Sequence, residues 1–134
     1  MRIDKSQALL LVSASGLVPI ALSYGLVPEV TLNYLFDLDI SNVNGKHIFR
    51  AVMCLYLLNL SFWLLGFFKK SFRQVALTTL SLFMFGLAMG RGLSFLLDGQ
   101  VHWLLTLYFF LELAIGVSAL YLILKNQDTV RAYT

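Results

Sequence analysis

The chain has 134 residues, 59% of them hydrophobic and 13% charged, whereas a soluble globular domain usually holds about 45–50% apolar and about 25% charged residues. That balance excludes an ordinary small soluble domain and makes a bilayer, with its lipids as neighbours, the expected solvent. The net charge of +3 does not indicate nucleic acid, because the basic residues stand in short groups between long apolar runs; the one cysteine, Cys54, allows no internal disulfide, and no Cys/His spacing reads as a zinc site.

Residues 6–27 carry no charge, and a membrane span needs roughly 20 mostly apolar residues. Arg2 and Lys5 ahead of them would also suit a signal peptide. The apolar stretch runs on through Pro28, however, so it is read as a retained first span. The next connection is about eighteen residues, long against a usual ~4–6, and is expected to have structure of its own. Pro28 and Glu29 signal a helix start, and Leu32, Leu35 and Phe36 share a face, which predicts a short interfacial helix over 29–36. A turn over 41–45 follows. Span two is predicted over 47–68, with Arg50 in its first turn and Asn59 placed for an interhelical hydrogen bond. A tight basic loop, 69–73, leads to span three over 75–97, which carries Arg91. Asp98-Gly99-Gln100 turns the chain into span four, 103–124, with Glu112 near its middle. The polar tail from Lys125 carries no prediction. The whole chain, 1–134, reads as one integral membrane domain of all-α class, a four-helix transmembrane bundle.

Orientation follows from the basic residues outside the spans. Arg2, Lys5, Lys69, Lys70, Arg73, Lys125 and Arg131 fall on one side and only Lys46 on the other, which predicts both termini in the cytoplasm. Counted from the opposite ends of their spans at 1.5 Å per residue, Arg50 lies roughly 5 Å deep, Arg91 roughly 10 Å and Glu112 roughly 14 Å.

Ionised side chains inside spans are expensive and mark candidate sites. Arg91, Ser94 and Asp98 recur at i, i+3 and i+7 on one helical face. Arg91 and Glu112, at similar depth on consecutive antiparallel spans, are placed to form an ion pair. With Arg50 as a second cation, the expected site is an outward-facing polar pocket for a small anionic or amphipathic ligand. His47, His102 and Tyr56 are possible contributors at its rim. The histidines are expected to cap helix ends rather than bind metal, and no cofactor is implied. Tyr24, Tyr34, Trp103 and Tyr108 suit interfacial anchors. Gly86-x-x-x-Gly90 permits close helix approach, inside the bundle or between protomers of a homo-oligomer.

At Asn44-Gly45-x-His47-x-Phe49-Arg50-Ala51, followed by Tyr56, and again at Gly90-Arg91-x-x-Ser94, Asp98-Gly99 and Glu112, the chain resembles a bacterial membrane family catalogued as domain of unknown function 4345. The resemblance covers about residues 7 to 124. It implies a small four-helix integral membrane protein, in a bacterial inner membrane, without an assigned activity. No phosphate-binding loop, Ser/His/Asp arrangement or paired acid is apparent, so no catalytic residue is assigned. Three functions stay open: a binding or transport-type protein, an accessory subunit whose charges only fix helix packing, and a lipid-headgroup enzyme using Glu112.

Overall fold

The computed structural model describes residues 3–131, with side chains over 3–126, and its helices begin where the sequence supplies caps. In α1 (Lys5–Gly25) the Asp4 carboxylate accepts the Gln7 N–H at 2.8 Å while the Gln7 side chain accepts the Asp4 N–H at 3.2 Å. This reciprocal capping satisfies two donors that a helix start otherwise leaves without partners. Pro28 opens α2 (Pro28–Phe36), and Asp37 closes it in the left-handed region, φ 55°, its N–H bonded to the Asn33 carbonyl. Asn42 caps α3 (Val43–Phe68) by accepting the Gly45 N–H at 2.6 Å. Residues 43–45, expected as part of a turn, therefore belong to the helix.

Between α3 and α4 (Lys70–Leu97) only Lys69 lies outside a helix, so most of the expected basic loop is helical. Arg73 is the reason. Its guanidinium donates to the carbonyls of Gly66 and Phe67 and, through Nη1, to Asp4 at 2.6 Å, while Gln7 donates to the Phe67 carbonyl at 3.1 Å. Carbonyls that a helix end leaves over are thereby satisfied without a loop. The last helix, α5 (Trp103–Arg131), continues past the predicted end of its span.

Four of these helices, α1, α3, α4 and α5 to Asn126, are long and apolar enough to cross a membrane, and no strand occurs among the described residues. The protein is an all-helical integral membrane protein. Helix α1 packs chiefly on α3, and α4 on α5, with α3 and α4 joining the two pairs. Buried stripes at helical spacing form the contacts: Leu10, Ala14, Leu17, Ala21 and Tyr24 on α1; Tyr56, Leu60, Trp63 and Phe67 on α3; Leu77, Ser81, Met84 and Ala88 on α4. The Ser81 hydroxyl donates to the Gly116 carbonyl of α5 at 3.2 Å. Large apolar side chains such as Leu58, Leu82 and Leu96 face outward, as hydrocarbon requires and water would not favour.

Helix α2 lies against this bundle. Leu32 is buried, the Phe36 ring meets Tyr24, and Val30 and Tyr34 face outward. The Thr31 hydroxyl donates to the Ser23 carbonyl, and Glu29 pairs with Lys46 at 3.0 Å. The Lys46 hydrogen bond holds the Glu29 carboxyl below its ordinary range. Gly86 and Gly90 are exposed, and a Cβ at either would meet nothing within 4 Å, so the bundle does not use that motif internally. Asn59 bonds within its own helix, to the Leu55 carbonyl at 2.9 Å, rather than across helices.

Candidate intramembrane site

Arg91 continues the buried stripe of α4, three residues beyond Ala88, and that register turns it toward α5. Its Nε donates to both carboxylate oxygens of Glu112, at 3.0 and 2.9 Å. Glu112 is only 7% exposed. A charge-assisted bond in such surroundings is among the stronger ones available to a side chain. One turn before Glu112, Tyr108 places its ring 5.5 Å from the Arg91 guanidinium carbon, a cation–π contact worth up to about 2 kcal/mol when desolvated. Tyr24 of α1 is buried beside this group, its ring 5.7 Å from that of Tyr56. Of the residues expected as interfacial anchors, Tyr108 instead flanks the ion pair and Tyr24 is buried among the rings of Phe36, Phe49 and Tyr56, whereas Tyr34 and Trp103 are exposed.

The pair lies at the polar end of a cavity of about 260 Å³. Its lining comes from all four spans and includes Ser13 and Gly16 of α1, Tyr56 of α3, Arg91 of α4, and Tyr108 and Glu112 of α5. Apolar side chains supply the rest of the wall. Ser13 is 3% exposed, and its Oγ has no hydrogen-bond partner among the described residues. Sequence reasoning missed it. A serine inside an apolar span is usually silent, and only its place next to the buried stripe of α1 distinguishes it. Trp63 Nε1 is the other buried side-chain polar atom without a partner among the described residues, but it belongs to the core stripe of α3 and not to the cavity wall.

The remaining expected members lie elsewhere. Arg50 is exposed and lines a separate groove with Lys46, His47 and Cys54, close enough to Glu29 to act on its charge. The structure does not bring it to Arg91. Ser94 donates to Asp98 at 2.7 Å, a local pair at the exposed end of α4. His102 accepts the Leu104 N–H on Nδ1 at 3.3 Å and stands edge-on to Phe36. Among the described residues, no three His, Cys, Asp or Glu side chains come together as a metal site would require.

A family model described as "Domain of unknown function (DUF4345)" matches residues 6–123. No curated protein and no solved structure matches the chain.

Proposed function

The chain belongs to the DUF4345 family, a description that carries no activity, and we propose from the site alone that the protein binds an amphipathic ligand inside the bilayer. The Arg91–Glu112 pair would form the polar end of the binding cavity. The observation that carries this reading is the coincidence of three things in one concavity: a buried ion pair, a buried hydroxyl without a partner and an apolar wall. Ligand sites are typically concave and mostly apolar, with a few convergent polar groups. Arg50, expected as a second cation of this site, stands at another groove.

The test is to purify the protein in a mild detergent and identify retained small molecules by mass spectrometry. Wild type is expected to keep a defined amphipathic molecule, and the doubly substituted Arg91→Leu, Glu112→Leu protein to lose it while remaining folded. Equal retention by that variant would show that the charges serve packing alone, as in an accessory subunit.

We further propose that both termini face the cytoplasm and that the ion pair lies in the outer half of the membrane. Lys5, Lys69, Lys70 and Arg73 gather at the end of the bundle opposite α2, as the bias of basic residues toward the cytoplasmic side requires. Arg2 and the Arg131 side chain, counted in the same tally, lie outside the described residues. A periplasmic-active reporter inserted at Gly99 should be active and the same reporter after residue 126 inactive. The opposite pattern would reverse the orientation.

A further inference from the structure

The lining of the cavity and the place where it opens say more about the ligand than its amphipathic character. Val12 and Gly16 straddle the midpoint of α1, a helix about 30 Å long at 1.5 Å per residue, and both line the cavity while remaining exposed. Val12 is 66% exposed, and Leu111, across the seam on α5, is 48% exposed. Helices α1 and α5 meet over less of their length than α1 and α3 or α4 and α5 do. The mouth therefore opens sideways at mid-membrane depth, toward acyl chains and away from either aqueous surface.

The charges at the inner end cancel. The guanidinium is already held by a carboxylate at 2.9 Å, so an incoming anion would meet Glu112 as well as Arg91, and an incoming cation the reverse. Either would leave water for a site of no net charge, which is costly. An uncharged oxygen-bearing head meets no such penalty. Ser13 can donate to it or accept from it, the Tyr56 and Tyr108 phenols line the same space, and the terminal N–H groups of Arg91 remain beyond the Nε that binds Glu112, since a guanidinium carries five donors. The volume, about 260 Å³, falls just below the ~300–1,000 Å³ common for drug-sized ligands. It suits a head and the first part of a chain, with the remainder lying among lipids.

Building on the binding function proposed above, we infer that the ligand is an uncharged amphiphile, with an alcohol, ester or ketone head and a long apolar tail, which enters laterally from the bilayer between α1 and α5 and anchors on Ser13. The test uses three photoreactive probes of equal chain length, a fatty alcohol, a fatty acid and a primary alkylamine, each with its diazirine near the head. They are added to the full chain in lipid nanodiscs. Sites of labelling are mapped by mass spectrometry, with the outward-facing Leu82 region of α4 as the reference for non-specific contact with lipid.

The alcohol is expected to label residues 12–20 and 108–115 saturably, about tenfold or more over the acid and the amine. Ser13→Ala should reduce that labelling by about two- to tenfold, as loss of one hydrogen bond does. Gly16→Phe should abolish it with an unchanged melting temperature, because a Cβ there meets nothing within 4 Å. Gly16→Leu serves if phenylalanine lowers the melt. Saturable seam labelling by the acid or the amine equal to that by the alcohol would overturn the neutral head and leave the binding function standing. Wild-type labelling in the occluded variant would overturn the lateral route. Absence of saturable seam labelling by all three probes would sink the inference and the binding function together.

Discussion

Glu112→Ala destabilises the bundle by about 3–5 kcal/mol, and Arg91→Ala by a similar amount, because each strands one member of a buried ion pair. The carboxylate left by the second change can take up a proton, whereas the guanidinium left by the first cannot lose one. In Glu112→Ala, Arg91 retains the Tyr108 ring, which softens the loss without replacing two short bonds to oxygen. The double change Arg91→Leu, Glu112→Leu should recover most of the stability, since exchanging a buried pair for apolar side chains of similar size is often neutral or favourable. Denaturation curves in detergent micelles for wild type, Arg91→Leu, Glu112→Leu and the double variant form a double-mutant cycle. Coupling below about 0.5 kcal/mol would mean that the pair contributes nothing as a pair.

The second large effect is expected at Gly66. A Cβ built there would run into the Cβ of Ala76 on α4 and stand 3.3 Å from Leu10 Cδ1 on α1, so three helices meet at a point with no room for a methyl group. Gly66→Ala should cost about 1–3 kcal/mol through overpacking, and Gly66→Val more. Gly86→Ala, on the outer face of α4, supplies the control. It should be neutral or should stabilise by about 0.5–1 kcal/mol, the usual gain on replacing a helical glycine. If both variants melt with wild type, the close approach of α3 to α4 is wrong.

Much of this was legible before the structure. Charge-free runs of span length mark the four crossing helices, and Pro28-Glu29 marks the short one between the first two. Arg91 and Glu112 declared themselves by being charged where nothing nearby is, and their depths matched. The direction in which a side chain points around a helix was harder to read. Helix α3 is apolar on every side, so its sequence gives no strong face, and Arg50 was placed by depth alone. The core stripe of Tyr56, Leu60, Trp63 and Phe67 extends seven residues back to Phe49, which does pack on Tyr24, and that register leaves Arg50 facing away. Tyr24 was available from the same reasoning, since it continues the spacing of Leu10, Ala14, Leu17 and Ala21. Tyr108 was available as the residue one turn from Glu112. Composition cannot show a stripe of this kind, because aromatic residues near span ends are common for another reason, anchoring at the interface. The helix boundaries shifted because capping side chains, Asn42 and Arg73, set them more tightly than hydropathy does.

Arg91 and Glu112 are separated by 21 positions along the chain, and the arginine is synthesised first. An unpartnered arginine raises the free energy of insertion by about 2.5–3.5 kcal/mol at the centre of a span and by less at the depth of Arg91, six residues before the end of α4, so a nascent chain stopped after Leu97 gives the translocon a segment less well matched to lipid than the finished pair of helices. Release becomes more favourable once the following helix has left the ribosome with the compensating carboxylate. The ion pair therefore favours joint partitioning of the final two crossings as a hairpin, the carboxylate of the later helix offsetting the charge carried by the earlier one.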